Sequence, residues 1–191
     1  MKRPRGLRLT AAPGPWWRFD AAVHGTWSWE GFGAPRHRFD PPSGRFRVRY
    51  AANRVDAAAL ERFPGRTITE GDGDVQLVCH EGSPPALQLT HQGNLEALGL
   101  DDRISTGRLD EGPDPLLAHS QALSDAVYDW WDAAPPPLVY RTRAMPSARS
   151  IAFTATTGWD AITSGPLREA TLLLTHLVIH RDFTVPERWL R

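Results

Sequence analysis

Arg18, Arg38, Tyr50 and Glu61 are residues whose types and order could do chemistry together. Arginine presents a planar fork of N–H donors that grips pyrophosphate oxygens bidentately. A tyrosine ring offers a face for stacking a nicotinamide. A glutamate can hydrogen-bond ribose hydroxyls and stabilise an oxocarbenium-like transition state at the sugar carbon. The set suits a dinucleotide. Glu61 is the most informative member, because it follows the apolar run Ala57-Ala58-Ala59-Leu60. A carboxylate in such a run is costly to bury without a partner. It either reaches solvent or sits in a site that needs it. Residue types and spacing leave a plainer reading open. In that reading the arginines solvate a sheet face, Tyr50 packs in the core and Glu61 pairs on a helix surface.

The elements that would position these residues can be read from periodicity. Trp16-Trp17-Arg18-Phe19 predicts a first strand, and residues 20–44, rich in Gly, Pro and aromatics, predict a long structured loop. Residues 45–50 alternate, with Arg45, Arg47 and Arg49 on one strand face and Phe46, Val48 and Tyr50 on the other. Asn53 and Asp56 suggest a variant capping box for a helix that stops before Pro64-Gly65. Short strands follow at Val75–Cys79 and Ala86–Leu89, then a short helix over 93–99 and a loop over 101–115. Leu116 to Trp131 has helical spacing, ended by Pro135-Pro136-Pro137. Leu138–Tyr140 and Ile151–Phe153 read as strands, Pro166 as the first turn of a C-terminal helix, and Phe183–Val185 as a last strand. Strands and helices mix without a steady βαβ rhythm, so the expected class is α+β. The length fits a single domain, with residues 1–14 as a flexible basic arm and 15–191 as the folded unit.

Composition narrows the function classes. Formal net charge is zero, which removes a global pull toward nucleic acid or an anionic membrane. Cys79 is the only cysteine, so an internal disulfide and a multi-cysteine zinc site are both excluded. A cytoplasmic location is the simplest expectation. The basic start Met1-Lys2-Arg3-Pro4-Arg5 is not followed by an apolar run, since Arg8, Pro13 and Pro15 interrupt it. His176 and His180 share a helix face, but Leu-Val-Ile lies between them. Two histidines flanking a packed stripe is the preferred reading over a metal site. The Arg45/Arg47/Arg49 row could meet phosphates; a solvated or partner-facing strand is preferred, and Cys79 is read as a small buried hydrophobe.

A resemblance sharpens the choice. Trp17-Arg18, then Gly31-Phe32-Gly33 leading to Arg38-Phe39-Asp40-Pro41, then Tyr50-Ala51-Ala52 and Glu61 stand in an order that resembles the RES-domain family. Leu123 to Trp131 is similar to that family's late helix ending in tryptophan. The family comprises NAD-degrading toxins of bacterial toxin–antitoxin systems. The resemblance implies a bent, split pair of sheets around a cleft, similar to the ADP-ribosyltransferase fold. It implies cleavage of the nicotinamide–ribose bond by an NAD phosphorylase or glycohydrolase that inhibits growth, with NAD as substrate and no cofactor. Carried over, Arg38 and Arg18 hold phosphates, Tyr50 orients nicotinamide or ribose, and Glu61 stabilises the transition state. Thr142 stands where the family has serine, with Ser147 and Ser150 the nearest other hydroxyls. The implied partners are a helix-turn-helix antitoxin covering the cleft and, as acceptor, either inorganic phosphate or water. A protein ADP-ribosyltransferase, or a nucleotide-binding module that has lost catalysis, are the alternatives.

Overall fold

The computed structural model describes residues 2–20, 34–107, 115–157 and 159–191. Its strands are β1 (Leu9–Ala11), β2 (Trp16–Asp20), β3 (Arg49–Ala52), β4 (Gln76–Glu81), β5 (Pro85–Gln88), β6 (Leu138–Arg141), β7 (Arg149–Phe153) and β8 (Asp160–Pro166). Its α-helices are α1 (Val55–Arg62), α2 (Gln92–Leu98), α3 (Arg103–Thr106), α4 (Pro115–Trp130) and α5 (Thr171–Arg181). The fold is a single α+β domain. The strands form one open sheet in the order β1-β5-β6-β7-β3-β2-β4-β8. All described pairings are antiparallel except β5 with β6.

The sheet has one weak seam, and it creates the cleft. β2 makes five register pairs with β4 but only one with β3, Trp17 with Ala52. Continued past that pair, the ladder would set Arg18 opposite Ala51, Phe19 opposite Tyr50 and Asp20 opposite Arg49. Those positions instead diverge. The expected split is therefore present as a gap inside a continuous sheet.

Apolar packing holds the two halves. Alternation along a strand sends neighbouring side chains to opposite faces. On β3, Tyr50 packs beside one cluster, Ala51 joins a second on the reverse face, and Ala52 joins a third. The Ala52 cluster includes Ala57, Ala58, Ala59 and Leu60 of α1 with Leu174 and Leu177 of α5. The Tyr50 cluster includes Leu123 and Val127 of α4 with Leu87 and Leu138 of the sheet. Small alanines let α1 lie close to β2. Phe63 closes that helix through its N–H to the Ala59 carbonyl, 2.8 Å.

Several local expectations need correction. Residues 45–48 are not strand. Arg45 pairs with Asp125 and Asp129 of α4, Phe46 stacks on Tyr128 at 4.5 Å between ring centroids, and Val48 is buried. The alternation is real, but it serves packing against α4, and the ladder begins at Arg49. Asn53 does not cap α1. The cap position is Arg54, with no side-chain cap bond, while the Asn53 Oδ1 accepts from the Arg149 N–H at 2.8 Å. Pro166 ends β8, and α5 begins later, at Thr171. Near Phe183–Val185 the only described ladder contact is a lone bridge, Thr67 with Thr184. Within the basic N-terminal segment, Leu9–Ala11 pair with β5. Gly31, Phe32 and Gly33 of the motif lie outside the described residues. No described helix is long and apolar enough to cross a membrane.

Asp56 ties the first helix to the last. It is 2% exposed and accepts from Arg54 at 2.9 and 3.0 Å and from Arg181 at 2.7 and 3.0 Å. Burial alone would push its carboxyl upward, but Arg54 and Arg181 together outweigh burial and hold it well below the usual carboxylate range. A depressed carboxyl stabilises the fold above its unfolded pKa of about 3.9, and that stability is lost as pH falls below it. Asp56→Asn should cost about 1.5–3 kcal/mol at pH 7, the range for hydrogen bonds to charged groups. Denaturant titrations of wild type and variant at pH 7 and pH 3 should show the gap closing at the lower pH. An equal gap at both values would remove Asp56 from this role.

Candidate functional site

A cleft of about 560 Å³ opens at the β2–β3 seam, within the size range of small-molecule sites. Arg18, Arg38, Tyr50 and Glu61 all line it, together with Ser150. Thr142 does not line it, although its neighbours Arg141 and Arg143 do.

Asp40 organises the first wall. Its Oδ2 accepts from the backbone N–H of Arg36 at 2.9 Å and of His37 at 2.8 Å, closing the turn before Pro41. Its Oδ1 accepts the Tyr50 hydroxyl proton at 2.9 Å, and the Tyr50 oxygen in turn accepts from the Phe39 N–H at 3.0 Å. Burial, with the Asp40 charge, drives the Tyr50 phenol well above its ordinary value. Tyr50 therefore stays neutral and its hydroxyl is committed to the scaffold. What it offers a ligand is its ring, with His37 edge-on at 5.7 Å.

Arg38 is a strut as well as a charge. It is 6% exposed and donates to the backbone carbonyls of Ile104 and Gly107, the latter at 2.7 Å. It thereby fastens α3 to the cleft wall. Two of its donors serve the fold, which narrows what it can give a phosphate.

Across the seam, Arg18 is buried and paired with Asp20, two residues along the same face of β2. Burial lowers its guanidinium to about 10, opposed by Asp20 and reinforced by Arg49. Arg18 thus remains charged at neutral pH and stands within electrostatic reach of a second arginine. Burial also lowers Arg49. Like charges held in a partly desolvated gap favour an anion between them.

Glu61 sits at the C-terminal turn of α1. Solvent reaches it through the cleft, yet the surrounding protein strips enough water to push its carboxyl upward. The charges of Arg143 and Arg38, and the backbone N–H groups of Ala144 and Arg143, oppose that rise. Thr142 shapes the segment that supplies those groups. Its Oγ1 donates to the Met145 carbonyl at 3.1 Å and accepts from the Met145 N–H at 2.9 Å. The side chain is 1% exposed and brackets the turn from behind. Ser150 is the hydroxyl that reaches the cleft; it lies opposite Tyr140 in the β6–β7 register and is hydrogen-bonded to it.

The sequence named Arg49 only within the Arg45/Arg47/Arg49 row and Ser150 only as a hydroxyl near Thr142, and it gave Asp40 and Arg143 no role at the site. Asp40 carried the one available signal, an Asp before two prolines, which favours a side-chain-closed turn. His176 and His180 are 4.8 Å apart between ring centroids, and among the described residues no group of three or more His, Cys, Asp and Glu is placed to hold a metal. Cys79 is buried in β4.

The lining is strongly cationic. Arg18, Arg36, Arg38, Arg49, Arg62, Arg141 and Arg143 face it, against one carboxylate, Glu61. Its formal charge is +6, seven arginines less one glutamate. The chain as a whole is neutral, so the remaining residues sum to −6.

The family model described as RES domain matches residues 12–174. Among solved structures, the crystal structure of the M. tuberculosis MbcT–MbcA toxin–antitoxin complex contains a chain of similar fold. The match has a TM-score of 0.58 and 20% sequence identity, covering 84% of this chain and 87% of that one. No curated protein matches.

Thr142 separates scaffold from site. Thr142→Val should destabilise the protein by about 1–3 kcal/mol, because the buried Met145 N–H and carbonyl lose their partner. Thr142→Ser keeps the hydroxyl and should cost little. The valine variant should also displace the titration of Glu61, observable by carboxyl NMR, because it loosens the 142–145 turn. An unchanged Glu61 titration in a destabilised valine variant would confine Thr142 to packing.

Proposed function

We propose that this chain, which belongs to the RES-domain family, cleaves the nicotinamide–ribose bond of NAD and acts as a growth-inhibiting toxin. The observation that carries the reading is Glu61, a single carboxylate on an arginine-lined cleft that the ring of Tyr50 also lines. That arrangement suits a substrate with an anionic middle and a cationic end.

In this scheme Arg18 and Arg49, on opposite sides of the seam, take the pyrophosphate, whose charge relieves their mutual repulsion. Arg38 adds charge from its strut position. Tyr50 stacks on nicotinamide or ribose. Glu61 accepts hydrogen bonds from the ribose hydroxyls and opposes positive charge as it develops on the sugar ring. The C–N bond breaks with its electron pair going to nicotinamide, which leaves neutral from an already cationic ring. An oxygen of water or phosphate then bonds to the sugar carbon and releases its proton to solvent. No metal is needed for this. Ser150, hydrogen-bonded to Tyr140 on the cleft wall, is a better-placed hydroxyl for orienting substrate than Thr142.

The acceptor distinguishes a phosphorylase from a glycohydrolase, and nicotinamide release with and without phosphate decides between them. A protein acceptor would appear as ADP-ribose on protein. The neighbouring fold comes from a toxin–antitoxin complex, which supports an antitoxin as partner; in this proposal that antitoxin is of the helix-turn-helix kind and covers the cleft.

Glu61→Gln should reduce nicotinamide release by about 10²–10³, the cost of one lost electrostatic stabiliser. It should also relieve growth arrest when expressed. Because the Glu61 carboxyl is raised, the acid limb of kcat/KM should lie above an ordinary glutamate's value of about 4.3. Activity should rise with pH through that limb, and the Gln variant should lack it. Full turnover by a folded Glu61→Gln protein would sink the assignment.

A further inference from the structure

His37 lines the cleft and takes no part in the chemistry proposed above. Its backbone is held from both ends. The N–H donates to Asp40 Oδ2 at 2.8 Å, and the carbonyl accepts from the Asp40 N–H at 3.1 Å and from Gln121 Nε2 of α4 at 3.1 Å. The side chain is treated oppositely. His37 is exposed, whereas Arg38, Phe39 and Asp40, which follow it, are buried. Among the described residues neither ring nitrogen of His37 has a hydrogen-bond partner.

The carboxylate that holds the His37 backbone also fixes the neighbouring ring. Asp40 Oδ1 accepts the Tyr50 hydroxyl proton while Oδ2 accepts the His37 N–H. The two rings are 5.7 Å apart between centroids and meet at 67°, so they form a corner. A planar ligand lying flat on Tyr50 turns its edge toward His37. Tyr50 can offer that ligand only its ring, because its hydroxyl donates to Asp40 and accepts from the Phe39 N–H. Imidazole adds what a ring face lacks, a nitrogen that donates or accepts at the ligand's edge. It also carries no permanent charge, unlike the guanidinium groups that dominate the lining and repel a cationic heterocycle.

Building on the bond-cleaving reading above, we propose that His37 recognises the nicotinamide ring: with that ring flat on Tyr50, the His37 imidazole hydrogen-bonds its carboxamide. The contact selects the base and holds the ring in one orientation about the bond that breaks.

The test pairs a change in the protein with a change in the ligand. The probes are NAD and its analogue with 3-methylpyridine in place of nicotinamide, which keeps the cationic ring and lacks the carboxamide. Their affinities are measured by calorimetry on protein carrying Glu61→Gln, which suppresses turnover, with His37 intact and with His37→Phe or His37→Ala. Position 37 is exposed, and matched thermal midpoints confirm folding. With His37 intact, NAD should bind about tenfold more tightly than the analogue, the effect of one hydrogen bond. Both substitutions should abolish that preference, and His37→Phe, which keeps a ring wall, should leave the affinity for the analogue unchanged. Equal binding of the two probes with His37 intact, a preference that survives both substitutions, or a loss of affinity equal for both probes overturns the assignment. Nicotinamide release by the protein with Glu61 restored tests the underlying reading separately. If the preference depends on His37 but no nicotinamide is released, the corner stands and the bond-cleaving reading falls. If nicotinamide is released without that dependence, the reverse holds. Binding of neither probe, with no release, overturns both.

Discussion

The β2–β3 seam is the constraint on which the site depends. One register pair, Trp17 with Ala52, holds the halves together, and beyond it the strands part. A sheet normally gains by extending its ladder, because buried backbone groups need partners. Here extension would bring Arg18, Asp20 and Arg49 into adjacent ladder positions in a partly desolvated gap. Beyond Trp17 the ladder is not extended, and the gap that remains is the cleft that Arg18 and Arg49 line. Apolar packing on either side, with α1 and α5 against one part and α4 against the other, supplies the stability that permits it.

Asp40 turns the open seam into a shaped site. It closes the turn that holds Arg36 and His37, and through Tyr50 it fixes that turn to β3. Arg38 then carries the connection onward to Ile104 and Gly107. Two side chains expected to touch substrate are therefore partly spent on scaffolding. A rigid aromatic face and a fixed positive charge are what remain, and preorganised groups of that kind stabilise developing charge without reorganising.

Where periodicity reflected burial, the sequence was legible. β2, β4, β5, β6 and β7, and the helices α1, α2 and α4, follow apolar patterns that have one physical solution. The elements that escaped were the two edge strands and the single-turn helix α3 (Arg103–Thr106), which lies in the stretch read as a loop over 101–115. β1 and β8 lie at the two ends of the sheet, where one side of a strand has no neighbour and polar residues are tolerated. Residues 45–48 misled for a different reason: a two-residue alternation also fits an extended segment packed on a helix. For the site, the ordered motif gathered Arg18, Arg38, Tyr50 and Glu61, and all four line one cleft. Thr142 could not be placed by type, since a hydroxyl that positions substrate and one that brackets a turn look alike in a sequence. Arg49, Arg143 and Ser150 come from segments whose convergence is a property of the fold.

Glu61 shows why the neighbours of a reactive carboxylate matter more than its isolation. Burial favours its neutral form, while Arg38, Arg143 and the N–H groups of the 143–144 turn favour the charged one. The balance leaves the carboxyl raised, so its negative charge is incompletely compensated. A carboxylate locked in a tight ion pair would already have spent its field on its partner. One held above its ordinary value gains most when positive charge appears beside it, as it would on a sugar ring losing a cationic base. The turn held by Thr142 and the strut made by Arg38 set how far that balance leans. Both would act on the proposed reaction through the same carboxylate.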